Sequence, residues 1–203
     1  MSDHKVHADD TPIGVLAPGN GKTKTARPWA YGKGQHPRAH LKGFSGILQA
    51  AFAQLYATGT VEDAACWAHA RRKFYEVCKD QASPLAAEAL QRIAALYDIE
   101  SEIRVQPPNL RKTVRQNRAS PLLEHLHAWL NQTLTQLSKK SALGGATFYT
   151  LNRLQALTRD GDDGRVEIDN NAAERALRSV AFGCVFHAHL DTHSTNTWTA
   201  IPL

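Results

Sequence analysis

The sequence predicts an α/β fold in which a small sheet comes first and a mainly helical region follows. Short runs of β-forming residues occupy the first part of the chain, at Val6 to Ala8 and Ile13 to Leu16. From Ser83 onward, apolar residues recur at helical spacing instead. A further helix is indicated after residues 169–171, Asp-Asn-Asn, because these residue types cap helix N-termini and the following Ala-rich stretch favours helix.

The composition favours one soluble domain with a polyanionic partner. A chain of 203 residues can bury a core, and its formal charge of +5 favours such a partner. Three cysteines suggest no disulfide framework. No stretch reaches the ~20 apolar residues that a membrane helix needs, and no early apolar run resembles a signal peptide. We therefore expect a cytoplasmic protein with no membrane partner.

Strand patterns alternate with turns over the first 80 residues. Two more strands are predicted after the N-terminal pair, at Trp29 to Tyr31 and at Gly43 to Ala50. A helix is expected from Ala51 to Ala57. Ala64 to Ala68 is predicted as the next strand, and it leads into a basic helix from about His69.

The central region predicts two long helices packed as a hairpin. Ser83-Pro84 combines a cap with a first-turn proline, and Pro107-Pro108 should end the first helix. Ser120-Pro121 repeats the same start signal for the second. A further helix from Gly145 to about Leu157 leads to a turn rich in Gly and Asp at residues 160–164.

The helix expected after residue 171 has one apolar side and a charged pair beside it. Ala173, Leu177 and Val180 share a face, while Glu174 and Arg178 lie one turn apart. From the residues alone, this would be an ordinary exposed ion pair.

Residues 169–178, Asp-Asn-Asn-Ala-Ala-Glu-Arg-Ala-Leu-Arg, resemble the helix that supplies the final glutamate in transposases of the IS66 family of bacterial insertion sequences. Residues 66–74, Cys-Trp-Ala-His-Ala-Arg-Arg-Lys-Phe, and residues 7–19 agree with the same family in order and approximate spacing. The resemblance runs from about His4 to Gly183.

The resemblance implies a reduced ribonuclease-H-like mixed sheet with a mainly helical insertion before the final catalytic helix. It implies a DDE transposase, which uses two Asp and one Glu around divalent metal to cleave DNA and transfer strands. The catalytic core would be residues 1–183, made of a sheet part (1–80), the insertion (81–160) and the glutamate helix (161–183). Residues 184–203 would form a divergent, disordered tail.

The resemblance assigns Asp9 and Glu174 as catalytic residues and as ligands of two Mg²⁺ ions. Asp10 is the alternative to Asp9, since neighbouring residues of a strand point to opposite faces. In the family, the second Asp follows the Gln-Ala pair that stands here at 49–50, but this chain continues with Ala51. Asp63 is the nearest substitute. With the second carboxylate missing, we expect little or no strand-transfer activity.

Basic residues form two predicted tracks for DNA phosphates. The first is carried over from the resemblance and consists of Arg71, Arg72, Lys73, Arg175 and Arg178. The second lies between the two long helices and consists of Arg104, Arg111, Lys112, Arg115 and Arg118. A solvated charge run is the ordinary alternative for both.

Cys66 and His69 have the spacing of half a zinc site, but no second pair stands nearby in sequence. We expect a structural role near the site instead, with Cys66 buried and His69 hydrogen-bonded. Alternating His187, His189, Asp191 and His193 offer a further metal-binding alternative in the tail.

The alternative class is a noncatalytic protein that binds DNA or an intact homologous transposase and inhibits it. A homo-oligomer and a residual metal-dependent nuclease are also open. The DNA-recognition modules that precede the first Asp in the family are not expected here, so sequence-specific binding of transposon ends is not expected either.

Overall fold

The computed structural model describes the strands at residues 4–10, 13–16, 23–26 and 29–30, together with residues 44–50, 61–138 and 140–171. Side chains are described within 44–49, 61–138 and 140–171. This part of the chain is mainly helical and carries a small sheet, so the α/β class is confirmed. The predicted helices at 51–57 and after residue 171 lie outside the described residues, apart from Asn171 at the start of the second.

The strands occupy the N-terminal third of the chain, as predicted. They are β1 (His4–Asp10), β2 (Ile13–Leu16), β3 (Thr23–Ala26), β4 (Trp29–Ala30), β5 (Gly46–Ala50) and β6 (Val61–Ala64). Strand β3 was not predicted, and β6 lies three residues earlier than the strand expected at Ala64 to Ala68. Residues 65 and 66 instead connect β6 to the following helix.

Four strands form one sheet in the order β4-β1-β5-β6, and β2 pairs with β3 in a separate antiparallel pair. β1, β5 and β6 run parallel, whereas β4 is antiparallel to β1. The register sets His7 beside Gln49 and Ala8 beside Ala50. β5 therefore ends beside the residue that precedes Asp9.

Helices follow the sheet. They are α1 (Trp67–Gln81), α2 (Pro84–Ile103), α3 (Pro108–Val114), α4 (Ser120–Thr135), α5 (Ala142–Asn152), α6 (Leu154–Leu157) and α7 (Arg159–Asp162). A π-helical segment, Arg115–Ala119, joins α3 to α4 without a break.

The predicted start of α2 is confirmed. The Ser83 hydroxyl accepts the Ala86 N–H at 3.3 Å, and Pro84 occupies the first turn, where its missing N–H costs nothing. The chain also leaves the helix before Pro107-Pro108 as expected, since α2 ends at Ile103. α1 begins at Trp67, two residues before the predicted start, and the Trp67 indole N–H donates to the Leu157 carbonyl at 2.8 Å.

The α-helix α4 begins at Ser120, as predicted, but Ser120 does not cap it, because helical backbone runs into this point from the π segment. Pro121 lacks the N–H that would bond to the carbonyl of residue 117, and its ring would collide with that carbonyl in a regular α-helix. The π segment relieves this conflict, since the Ser120 N–H donates to the Arg115 carbonyl, five residues back. A proline signal that resembled a cap is thus an accommodated interior proline.

The helix predicted from Gly145 to Leu157 is divided into α5 and α6, and α5 begins three residues earlier than expected. Ser141 caps α5 by accepting the Gly144 N–H at 3.0 Å. A Cβ at Gly144 would lie 2.5 Å from the Ser138 carbonyl oxygen, so this close approach requires glycine. Part of the predicted 160–164 turn belongs to α7.

The main core lies among the helices, and a smaller one lies against the sheet. The largest apolar side chains of the main core are Trp67, Phe74, Ile93, Leu126 and Leu130, all at most 1% exposed. Ile47, Ala64 and Val166 form the smaller core. Val166 thus brings the chain after the last described helix back onto the sheet.

Candidate functional site

The segment formed by residues 166–170, called the connecting segment below, leads from α7 to the start of the predicted glutamate helix. Gln49 on β5 binds it from the sheet. Its side-chain Nε2 donates to the carbonyls of Glu167 at 2.5 Å and of Asp169 at 3.3 Å, and its Oε1 accepts the Glu167 N–H at 3.2 Å. The Gln49 side chain is fully buried. The connecting segment is therefore bonded to β5 much as an added strand would be.

The start of α1 holds the same segment from a second direction. The backbone N–H of Trp67 donates to the Ile168 carbonyl at 3.0 Å, and the backbone N–H of Asn170 donates to the Cys66 Sγ at 3.2 Å. Cys66 is buried, as predicted, and its role is to accept this backbone N–H. These bonds satisfy backbone groups that would otherwise be buried without partners.

The helical layer holds the segment from a third direction through arginines. The Arg111 guanidinium donates to both carboxylate oxygens of Glu167 at 3.0 Å and to the Val166 carbonyl at 3.2 Å. Arg115 donates to the Val166 carbonyl at 2.9 Å and to the Asp160 carbonyl at 3.0 Å. Arg104 pairs with the Asp169 carboxylate at 3.2 Å.

Glu100 neutralises two of these arginines inside the protein. Its carboxylate accepts bonds from Arg115 at 2.7 to 3.0 Å and from Arg111 at 3.0 Å, and all three side chains are at least 93% buried. Burial alone would lower the pKa of Arg111, but the hydrogen bond and charge of Glu167, together with Glu100, raise it. The Arg111 guanidinium is therefore held in its charged form inside the protein.

The second predicted DNA track was therefore wrong for two of its five members, Arg111 and Arg115. Arg111 and Arg115 are buried, Arg104 is paired with Asp169, and Arg118 forms an exposed pair with Glu102 at 2.5 Å. Sequence spacing did not reveal this, because the acids that neutralise these cations lie up to 65 residues away along the chain.

The capping prediction at residues 169–171 agrees with the described geometry. Asp169 is 4% exposed, and its Oδ1 accepts the Asn171 N–H at 3.2 Å. Helical backbone begins at Asn171. Glu174, Arg175 and Arg178 lie outside the described residues.

Asp9 lies near the end of β1, and its Cα is paired with that of Ala30 on β4. Its side chain is outside the described part, as is that of the alternative Asp10. The backbone register still fixes which residues are its neighbours, because β1 pairs with β5 through Ala8 and Ala50.

Asp63, the proposed substitute for the missing acid, is occupied elsewhere. Its carboxylate pairs with Arg153 at 3.2 Å, and burial raises its pKa against the opposing charges of Arg153 and Arg159. Asp63 is in register with Leu48, which is in register with Val6. Two strand spacings and three residues of rise separate its Cα from that of Asp9 by roughly 14 Å. This is too far for one metal ion to bridge both carboxylates.

No group of three or more His, Cys, Asp or Glu side chains comes together as metal ligands within the described ranges. The half zinc site finds no second half there. The His69 Nε2 is buried with no hydrogen-bond partner among the described groups, so the predicted hydrogen bond of this ring is not found at that atom. The described side chains therefore do not fit a metal centre by themselves.

The three described residues of the first predicted DNA track, in contrast, face solvent. Arg71, Arg72 and Lys73 are all exposed near the start of α1. Arg72 pairs with Glu76 at 3.1 Å, one turn along, and the Lys73 Nζ lies 4.6 Å from the centre of the Tyr149 ring. Because exposed pairs of this kind are weak, these cations remain accessible to a phosphate backbone.

The chain thus has a strand that carries Asp9 near its end, then a helical region, and then a segment that returns to the sheet. The family model described as "Transposase IS66 family" matches residues 1–194. The chain belongs to the IS66 family of transposases. The family motifs quoted from the sequence lie between His4 and Gly183, inside this match.

Three relatives from Sinorhizobium fredii (strain NBRC 101917 / NGR234) are each 34% identical to the chain. They are the uncharacterized proteins y4qI, y4hP and y4jD, matched over 86%, 88% and 89% of this chain and 38%, 40% and 42% of their own lengths. The chain thus spans about two fifths of the curated relatives it matches. No solved structure matches the chain. Within the described residues, no helix is long and apolar enough to cross a membrane.

Proposed function

We propose that this chain is the catalytic region of a DDE-type transposase, impaired in DNA cleavage and strand transfer because its second catalytic carboxylate is missing. Family membership carries this proposal. The path of the chain supports it, since a helical insertion leads back to the sheet and ends against β5 at Gln49.

The strand arrangement supports a ribonuclease-H-like fold. β1 has an antiparallel neighbour, β4, on one side and two parallel strands, β5 and β6, on the other. The first acid would stand near the end of the central strand β1. The final acid would follow the helical insertion. This is the order in which the family resemblance places them.

The register favours Asp9 over Asp10 as the first acid. Residues two apart along a strand share a face, so position 9 belongs with His7 and its partner Gln49. Gln49 is bonded to the connecting segment, so this segment crosses the face that holds position 9. Glu174 comes three residues after Asn171 in sequence, so in the predicted helix it would lie about one turn from this anchored point.

The missing acid is the reason for proposing impairment. β5 ends at Ala50, and the next residue is Ala51 where the family has Asp. The match to y4qI spans 207 residues, yet 86% of this 203-residue chain is fewer than that, so the relative has residues with no counterpart here. Asp63 is held by Arg153 and lies too far away to compensate.

Mg²⁺ remains the expected cofactor, because clustered carboxylates suit hard cations in phosphoryl transfer. Asp9 and Glu174 would supply two of the three family carboxylates. Since the described side chains add no third, we assign no catalytic step through metal in this chain.

DNA is the proposed partner, and α1 is the proposed contact. Arg71, Arg72 and Lys73 are exposed at its start, and Arg175 and Arg178 would add to the same charge from the glutamate helix. A DNA substrate places the protein in the bacterial cytoplasm. A second copy of this chain, or an intact homologous transposase, is the proposed protein partner.

A cleavage assay on labelled transposon-end DNA with Mg²⁺ or Mn²⁺ tests the impairment. We expect little or no cleaved or joined product from the natural chain. Robust product that disappears in Glu174→Gln would show an active enzyme and overturn the proposed impairment.

The second candidate is a noncatalytic binding fragment, favoured by the engagement of Asp63 with Arg153. It predicts salt-dependent binding of any duplex, weakened in Arg71→Ala/Arg72→Ala, with no cleavage under any metal condition. Co-purification with an intact homologue and no DNA binding would instead favour an inhibitor that acts on the transposase. Nicking of generic DNA that vanishes in Glu174→Gln would indicate a residual nuclease.

A further inference from the structure

We propose that Gln49 is a positioning residue, whose side-chain amide holds the connecting segment on the sheet and thereby sets where the Glu174 helix begins. The identity of Glu174 as the acid rests on the proposed function. The bridge, which is the set of hydrogen bonds from the Gln49 amide to the connecting segment, does not. No family motif used above assigns a role to this glutamine.

In this bridge, the Gln49 side chain bonds to the connecting segment in the way that the backbone of a neighbouring strand would. Gln49 Oε1 accepts the Glu167 N–H at 3.2 Å while its Nε2 donates to the carbonyl of the same residue at 2.5 Å. A second bond from Nε2 reaches the Asp169 carbonyl at 3.3 Å. Both a donor and an acceptor are required, so the amide of Gln at this length meets a need that an apolar or acidic side chain cannot meet.

Gln49 can position the connecting segment relative to the sheet because it contacts the segment from the sheet side. Of the side-chain contacts to the connecting segment described above, only Gln49 comes from the sheet. Arg104, Arg111 and Arg115 bind the segment from the helical layer, and Cys66 binds it from the start of α1. Gln49 therefore couples the connecting segment to the strand that adjoins β1 and Asp9.

Burial makes the bridge costly to lose. Gln49 is 0% exposed, so water cannot readily replace its bonds. A side chain of similar length without the amide leaves the partly buried Glu167 N–H without this acceptor. Losing the bond in this way is strongly unfavourable, because the Glu167 N–H stays desolvated but no longer has a hydrogen-bond acceptor.

Hydrogen exchange measured by mass spectrometry on the full chain tests the proposal without requiring activity. The test variant is Gln49→Met, and the matched control is Gln91→Met at an exposed position of α2. We expect exchange in peptides covering residues 166–183 to become about tenfold faster in Gln49→Met, with peptides of α2 and α4 unchanged. Gln91→Met should match the natural chain throughout.

Two results would overturn the proposal. One is unchanged exchange in residues 166–183, which would mean that the amide does not hold the segment. The other is equally faster exchange in α2 and α4, which would make Gln49 a general core residue. If Gln49→Met does not fold, Gln49→Asn replaces it with the same expectations, because it keeps the amide but is one methylene shorter and cannot make the same bonds to the connecting segment.

A kinetic measurement separates positioning from stability. In a chain given a carboxylate by Ala51→Asp, adding Gln49→Met should lower kcat for DNA nicking while leaving KM for DNA unchanged. A rise in KM by the same factor as the fall in kcat would contradict a positioning role. If Ala51→Asp shows no Glu174-dependent nicking, the proposed function fails, and the exchange experiment still decides the role of Gln49.

Discussion

Glu100 is the residue on which the buried charge of this protein converges. It accepts hydrogen bonds from two guanidiniums, and its own carboxylate is 2% exposed. A buried ion group of this kind adds little stability compared with apolar packing, but removing one partner leaves an uncompensated charge in a low-dielectric interior. Glu100, Arg111 and Arg115 therefore act as a unit.

Arg115→Met should destabilise the protein by about 3 kcal/mol, because it leaves the buried Glu100 carboxylate with Arg111 alone and removes one of the two guanidinium bonds to the Val166 carbonyl. Denaturant unfolding measures the change. The matched control is Arg118→Met in the same π segment, whose pair with Glu102 is exposed and should contribute nothing measurable. Equal effects of the two variants would contradict the buried network.

Asp160 gives the network a pH dependence. Burial raises the pKa of Asp160 to about 6 from the ordinary 3.8, although the charge of Arg115 opposes this. The folded chain then holds the proton more tightly than the unfolded chain, so this group makes the free energy of unfolding fall as pH rises from about 4 to about 6.

Asp160→Asn should remove this fall, which amounts to at most about 3 kcal/mol. Unfolding curves at pH 4, 5, 6 and 7 would show it as a smaller difference between the ends of the range than in the natural chain. Asp98→Asn, at an exposed position of α2, serves as the control. A profile for Asp160→Asn parallel to that of the natural chain would show that the carboxylate is not perturbed.

At the scale of residues, the sequence predicted which residues cap helices better than it predicted which charged side chains are buried. Ser83 and Asp169 were recognised as capping residues because capping depends on neighbours within a few positions. Arg111 and Arg115 were placed on the surface because their partner Glu100 and the Val166 carbonyl are brought to them only by folding. Pairing across long sequence separations leaves no local signal.

Among the elements, the π segment between α3 and α4 has the clearest structural consequence. It contributes Arg115 to the buried network and leaves Gln116, Asn117 and Arg118 on the surface. A π segment behaves as one residue inserted into an α-helix, which rotates the helix before it relative to the helix after it. Arg111 on α3 and the core residues of α4 can therefore both face inward.

Deleting Asn117 should restore a regular helical count and turn Arg111 away from Glu167 by about 100°. We expect a loss of several kcal/mol in the free energy of unfolding, since either the network or the α4 core must be broken. Asn117→Ala, which keeps the count, should change stability by less than about 0.5 kcal/mol. Thermal unfolding of both variants provides the comparison.

Helix boundaries could be predicted where the sequence signal was local. The interpretation was incomplete where one signal, a serine followed by proline, occurs in two different structures. Pro84 and Pro121 both follow a serine, yet only the helix at Pro84 has a serine cap, whereas the helix at Pro121 continues from a π segment. Pro121 is accommodated by the longer hydrogen bond from Ser120 to Arg115, which depends on the buried contacts of Arg115. A tertiary network thus decided the local structure.

On the scale of the whole molecule, the connecting segment joins the helical layer to the sheet. Three sets of contacts meet there, from β5, from the start of α1 and from the arginines of α2, α3 and the π segment. The α/β class could be predicted because strand and helix periodicities separate cleanly along the chain. The bridge by Gln49 could not, because it joins residues 118 positions apart.

At this scale, we propose that the chain lacks one catalytic acid and keeps the sheet and connecting segment that would hold it. Ala51→Asp returns a carboxylate to the residue after β5, next in sequence to the Ala50 that pairs with Ala8. Ala51→Asn is the matched control, because it adds similar bulk without the charge.

Mn²⁺-dependent nicking of supercoiled DNA is the most direct measurement. We predict nicking by Ala51→Asp at least about tenfold above the natural chain and Ala51→Asn, with that gain abolished by Glu174→Gln or by Asp9→Asn. Nicking by Ala51→Asp that equals the natural chain, or that persists after Glu174→Gln, would contradict the account.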